Sequence, residues 1–181
     1  VDQVSKETLE TMKKAGCKQI HYGVETGDPE LFKQAKPWTS LDVVKRAFRL
    51  TKEAEIWATA HVILGWPDES LESLVKTSKL VAEIAPHSVN WNFLTPYPGT
   101  EIYDMAKESN LILTYDWSKY TSHTIVMRTK WLDESQLRMA TNKIIRDYSR
   151  QKTKKLLLSV RKKPRFILDE LKKTIQGILP R

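Results

Sequence analysis

A chain of 181 residues with 40% hydrophobic and 29% charged residues can bury a core, which excludes an intrinsically disordered segment. Its one cysteine, Cys17, excludes an intramolecular disulfide and a cysteine-rich metal site within the chain. The net charge of +8 sits at the end: residues 150–181 hold eleven Lys/Arg against Asp169 and Glu170, while the rest holds 19 basic and 20 acidic residues. The body is thus close to neutral, and a whole-chain argument for nucleic acid is misdirected. No apolar run reaches transmembrane length and no signal peptide is visible, so a reduced, cytoplasmic setting is expected.

The chain opens at Val1 in a helical pattern, as a piece of something longer would. Ser5 can cap a helix carrying Leu9, Met12 and Ala15, which Gly16 ends. Residues 19–26 alternate as a strand, with Ile20, Tyr22 and Val24 on one face and His21, Gly23 and Glu25 on the other. Asp28-Pro29-Glu30 starts a short helix, and Thr39 or Ser40 caps the next. Residues 56–65 form a second strand, placing Thr59, His61, Ile63 and Gly65 opposite Ala58, Ala60, Val62 and Leu64. A helix follows, with Leu71, Leu74, Val75, Ser78, Val81, Ala82 and Ala85 read as its buried side. The third strand, residues 88–94, puts Asn90 and Asn92 opposite Val89, Trp91 and Phe93. Thr100 caps a helix to about residue 110. From 111 to 131 the pattern breaks into an aromatic-rich segment with a short strand expected at 124–127. Asp133 and Gln136 resemble a capping box for a helix ending near Tyr148, before a basic amphipathic tail interrupted by Pro164.

Strands alternating with helices at this spacing argue an α/β fold of parallel βα units. Parallel strands covered on both faces are continuously apolar, whereas these carry a polar face. The economical answer is half of an open TIM-type barrel followed by a C-terminal helical extension, with His21, Glu25, Thr59, His61, Asn90 and Asn92 turned toward a lumen. Three divisions follow: 1–120 as the barrel half, 121–149 as a connecting segment and helix, and 150–181 as the tail. Loops at the carboxyl ends of the strands are the expected site. His21 and His61 face each other as a pair without a third ligand, so no metal is assigned.

Three ordered stretches carry a resemblance: Gly23-Val24-Glu25-Thr26-Gly27-Asp28-Pro29-Glu30, Ile63-Leu64-Gly65-Trp66-Pro67-Asp68-Glu69-Ser70, and Pro96-Tyr97-Pro98-Gly99-Thr100. Together they resemble the second half of a radical S-adenosylmethionine (radical SAM) enzyme, nearest the cobalamin-dependent branch that includes the anaerobic magnesium-protoporphyrin monomethyl ester cyclase. The resemblance implies an open six-unit barrel whose last three strands these are. It implies that Glu25 meets the ribose or methionine end of S-adenosylmethionine, that Ile63 and Gly65 lie against adenine, and that Leu94, Thr95 and Pro96 make the last strand's adenine contact. His21, His61, Asn90 and Asn92 are expected to meet substrate through their inward phase. A four-iron four-sulfur cluster is implied for the intact protein, with cobalamin as a further candidate, yet the three-cysteine loop is absent here. Asp68 stands where the family usually has glycine.

The expected function is therefore the C-terminal portion of a radical SAM iron–sulfur oxidoreductase, cyclase- or methyltransferase-like, supplying cofactor and substrate walls but not the cluster. The expected partners are the missing N-terminal half, a small-molecule substrate, and a second copy paired through the open strand edge. Two alternatives stand beside it: an ordinary barrel enzyme using Glu25 with His21 or His61 as acid–base groups, and a module binding nucleic acid or membrane through its tail. The tail itself is read first as a solvated helix pair rather than such a contact.

Overall fold

The computed structural model describes residues 1–162, so Pro164 and most of the expected tail lie outside the described residues. The chain divides into two compact units, Val1–Ile144 and Ile145–Arg181. In the first, local capping chemistry sets each helix start. Ser5 accepts from Thr8 N at 3.1 Å and opens α1 (Lys6–Lys14); Val1 therefore lies in a turn ahead of the helix and not within it. Strand β1 (Gln19–Glu25) leads to Asp28, whose Oδ1 accepts from the backbone of Glu30 and Leu31 to start α2 (Pro29–Ala35). Ser40 caps α3 (Leu41–Glu53), and β2 (Trp57–Leu64) follows. Ser70 and Ser73 form a reciprocal capping box for α4 (Leu71–Ile84). Strand β3 (Ser88–Phe93) precedes α5 (Glu101–Glu108), capped by Thr100, and a 3-10 turn at Trp117–Lys119. Asp133 and Gln136 bond each other's backbone N–H and open α6 (Glu134–Lys162).

The three strands form one parallel sheet in the order β1-β2-β3. Tyr22, Val24, Val62 and Leu64 are buried on one face, where α3 packs on β2 and on α4. Tyr22 meets Thr51 of α3 by a 2.7 Å hydroxyl contact and Phe48 edge-on at 5.1 Å. Ile20 joins Leu9, Leu50 and Ile56 in a second apolar cluster. Trp91 and Phe93, on the face opposite Asn90 and Asn92, are only half-buried on β3, which ends the strand order.

Three expectations need correction. The buried side of α4 is Ser73, Leu74, Thr77, Leu80, Val81 and Ile84, while Leu71 and Val75 are exposed. One hydroxyl accounts for the rotated face: Thr77 Oγ1 donates to Ser73 O and accepts from Gly27 N, so a polar residue is satisfied in a buried place. Residues 124–127 form no strand; Met127 makes a single antiparallel bridge with Ile112, Val126 O accepts from Leu113 N, and the preceding Ser122 O accepts from Phe93 N of β3 at 2.7 Å. Helix α6 does not end near Tyr148 but runs to Lys162, since no glycine or proline interrupts it there. The division between units accordingly falls inside this helix, at Ile144/Ile145. Among the described residues no helix is long and apolar enough to cross a membrane.

Candidate functional site

Residues opposite each other in a parallel ladder point to the same side of the sheet, so register defines the polar face. Thr59 pairs with His21 and Ser88, His61 with Gly23 and Asn90, and Ile63 with Asn92. At the amino ends of the strands the face closes on itself: Gln19 Nε2 donates to Thr59 Oγ1 at 2.7 Å, and Thr59 Oγ1 lies 2.6 Å from Ser88 Oγ. Above this rail, His21 Nδ1 and His61 Nε2 stand 2.8 Å apart, with Asn90 Nδ2 at 3.4 Å from the same His61 nitrogen. Asn92 behaves differently, donating to the Val62 and Asn90 carbonyls. The structure thus gathers His21, His61 and Asn90, and ties Asn92 to the backbone.

Glu25 reaches this face through an irregularity. Between Gly23 and Glu25 the register slips by one residue, and Glu25 takes φ 63°, a left-handed conformation that a side-chain-bearing residue adopts at a cost. The slip turns the carboxylate back over Gly23: a Cβ there would lie 2.2 Å from Glu25 Oε1 and 2.8 Å from Lys36 Nζ. Glycine at 23 makes the cradle. Lys36 Nζ sits in it, 2.9 Å from Glu25 Oε1 and donating to Gly23 O at 2.7 Å. Sequence reasoning missed Lys36, whose place in Lys36-Pro37 marked only the end of α2; a cation one short helix away from a strand-end carboxylate was the available signal.

The next turn, Thr26-Gly27-Asp28, is bolted to α4. Gly27 N donates to Thr77 Oγ1 at 2.9 Å, and a Cβ at Gly27 would lie 2.6 Å from Lys76 O and Thr77 Cα. Burial pushes the Asp28 carboxyl up, but Lys76 Nζ at 3.0 Å and two backbone N–H groups outweigh it and hold it below the usual range. At the mouth of β2, Gly65 has φ 84° and donates its N–H to Glu69, which also accepts from the Trp66 backbone. Glu69 is fully buried, its Oε1 has no partner among the described residues, and burial pushes its carboxyl up to about 8. In the sequence this residue stood within the Ile63–Ser70 stretch and received no role of its own. Asp68 beside it pairs with Lys130 at 2.7 Å while Lys130 N donates to Pro67 O, so the aspartate tethers the turn from outside.

The residues expected against adenine divide in two. Ile63 lies half-buried on the polar face near the strand mouth, although its carbonyl accepts from Trp66 Nε1 and the Gly65 N–H is committed to Glu69. Leu94 N donates to Leu64 O, and the Leu94 side chain packs with Ala106, Leu111 and Met127. Thr95 Oγ1 donates to Phe93 O beside it and to Thr121 O across the fold, and Pro96 is buried. The side chains at 94–96 are thus taken up by the fold, while Ile63 presents an apolar side chain near the strand mouth.

Residues 1–81 match the family described as the radical SAM superfamily. Over 184 aligned residues the chain is 30% identical to an uncharacterized methyltransferase of Pyrococcus horikoshii, covering 99% of this chain and 38% of that protein. The chain thus resembles the radical SAM superfamily. It is also 30% identical to the anaerobic magnesium-protoporphyrin IX monomethyl ester cyclase of Cereibacter sphaeroides, over 84% of this chain and 24% of the relative. The fold matches that of the radical SAM methyltransferase TsrM from Kitasatospora setae, solved with cobalamin and a [4Fe-4S] cluster bound, with TM-score 0.53, 17% identity, and coverage of 75% of this chain and 27% of that one. The chain therefore spans well under half the length of these proteins. Its parallel βα units correspond to part of a radical SAM barrel, as expected.

This chain does not fit the cluster that such barrels hold, because cluster irons take cysteine thiolates and Cys17 is its one cysteine. Cys17 is half-buried, 3.5 Å from Gln19 O. The radical SAM cofactor itself is a different matter: the Gly23 cradle, a carboxylate and an apolar side chain at adjacent strand mouths fit a ligand with a polar sugar or amino-acid end and an aromatic base.

Proposed function

We propose that this chain is the C-terminal half of a radical SAM barrel whose polar sheet face forms one wall of the S-adenosylmethionine and substrate site. The cluster belongs to the rest of the intact polypeptide, and this chain alone is inactive. The observation that carries the reading is the Glu25 carboxylate folded over Gly23 by the register slip, because backbone strain of this kind persists where a site requires it. Glu25 and the Gly23 carbonyl would take the donors of the ribose or amino-acid end, displacing the Lys36 ammonium that satisfies both here. Ile63 would lie against the adenine.

S-adenosylmethionine held at a reduced cluster supplies radical chemistry at unactivated carbon. This chain's residues bind, orient and wall off the ligand, and Lys36 holds Glu25 in place until a ligand arrives. By likeness to the methyltransferase and the cyclase, the intact reaction is proposed as methyl transfer or ring closure on a small-molecule substrate, whose contacts fall to His21, His61 and Asn90, with Asn92 at the rim. Cobalamin, present in the TsrM structure, is a further proposed cofactor, and none of the described residues is assigned to it.

Titration of the chain with S-adenosylhomocysteine, followed by methyl NMR, tests the wall. Shifts at Ile63 that disappear in Glu25→Ala are expected. No shift at Ile63 at saturating ligand, or shifts that survive the substitution, would overturn the assignment.

A further inference from the structure

The contact between the two histidines does more than line a wall. His21 Nδ1 and His61 Nε2 are 2.8 Å apart, with ring centroids at 5.1 Å and planes inclined by 38°. An unprotonated ring nitrogen accepts and a protonated one donates, so a single proton lies between them. Asn90 decides which ring owns it. Its Nδ2 approaches His61 Nε2 at 3.4 Å, and an amide nitrogen only donates, so His61 Nε2 presents its lone pair. The proton therefore sits on His21 Nδ1, and His61 carries its own on Nδ1. His21 is left with a bare Nε2 on the exposed end of its ring, with no partner among the described residues.

We propose that His21 Nε2 is the proton acceptor for an ionisable O–H or N–H of the ligand bound on this face, with His61 as its positioning residue and Asn90 fixing the tautomer. The proposal rests on reading the polar face as a ligand wall, and it names the group that the face offers. The transfer balances simply: the ligand's O–H or N–H bond breaks, its electron pair stays on the ligand atom, and the proton joins Nε2. The imidazolium so formed keeps its Nδ1–H on the His61 lone pair, which holds the ring in one orientation. The rail of Gln19, Thr59 and Ser88 below is internally satisfied, which leaves the dyad as the floor's reactive group. It lies three residues below the end of β2, about 10 Å at about 3.3 Å per residue, a depth that suits a ligand inserting its acidic group first.

Long-range proton–nitrogen NMR of the unaltered chain, above the ordinary imidazole range of about 6.5, reads both tautomers directly. Both rings are expected in the Nδ1–H form, the less common one for free histidine. Finding His21 as the Nε2–H tautomer would overturn the proposal, because no acceptor would face the ligand. A second measurement needs no cofactor: diethylpyrocarbonate acylates bare imidazole nitrogen, and exposed His123 serves as a reference within the same molecule. His21 is expected to react faster than His123, to slow several-fold in His61→Phe, and to recover partly in His61→Gln, which restores an acceptor. A His21 rate indifferent to His61 would sink the positioning role even if S-adenosylhomocysteine binds as proposed, and dyad reactivity in a chain that binds no S-adenosylhomocysteine would separate this inference from the radical SAM wall.

Discussion

Replacing Glu69 by glutamine should remove the alkaline loss of stability that this carboxyl causes. The carboxyl is fully buried beside the β2 mouth, accepts from the Gly65 and Trp66 backbone, and leaves Oε1 without a partner. Burial, reinforced by Asp28, lifts it from an ordinary value of 4.5 to about 8. Between those values the folded chain holds a proton that the unfolded chain releases, so stability is full below 4.5 and is lost as pH rises through about 8. A change of that size corresponds to a ceiling of about 5 kcal/mol, and access of water during partial opening will reduce it to a few kcal/mol. Glutamine keeps an acceptor for Gly65 N–H but carries no ionisable proton, and it brings an NH2 group to the place where Oε1 finds no partner, at a cost of about 1–3 kcal/mol. The Glu69→Gln variant should therefore be the less stable protein near pH 5 and the more stable near pH 9, with the two curves crossing. Urea unfolding followed by tryptophan fluorescence at several pH values measures this. Parallel curves would refute the reasoning, since they would mean that Glu69 is ionised in the fold throughout.

Gly27→Ala should be severely destabilising, beyond the about 1–3 kcal/mol typical of overpacking, because its Cβ would meet α4 backbone and not a mobile side chain; a thermal melt decides, and a change under half a kcal/mol would contradict the geometry. Thr77→Val should cost about 1–3 kcal/mol by leaving Gly27 N–H without its buried acceptor, read as a lowered urea midpoint at unchanged slope. The chain should stay colourless after anaerobic reconstitution with iron and sulfide; a stoichiometric visible absorption band would show that one cysteine suffices. The outer edge of β1, unpaired along the sheet, should draw two copies together over a surface of about 1,200–2,000 Å² in total, and light scattering that shows a monomer at every concentration would refute this.

What the sequence made legible was whatever depends on near neighbours. Period-two alternation located all three strands, and Ser5, Asp28, Ser40, Thr100 and the Asp133–Gln136 pair announced their helices. Contacts set by tertiary packing stayed hidden. Nothing local says that Thr77 will be drawn inward by Gly27 or that Leu71 will be left outside. The slip at Gly23/Glu25 was illegible for the same reason: an alternating pattern already places Glu25 on the polar face, and the extra residue shows only in the partner's register. Lys36 and Glu69 were given no role, because their partners, Glu25 and the Gly65 N–H, are brought to them only by the turns of the backbone.

Because the three strands run in one direction, their amino ends share a single hydrogen-bonded rail and their carboxyl ends open separately. Each opening is fastened by its own ties: Thr26 and Gly27 to Thr77, Gly65 to Glu69, and Thr95 to Thr121. Changes at sites that share no partner combine almost independently. A rim loop can therefore be rewritten with little effect on the rail below, although the first two mouths stay coupled through Asp28 and Glu69, so the upper surface is freer to drift toward new ligands than the lower one.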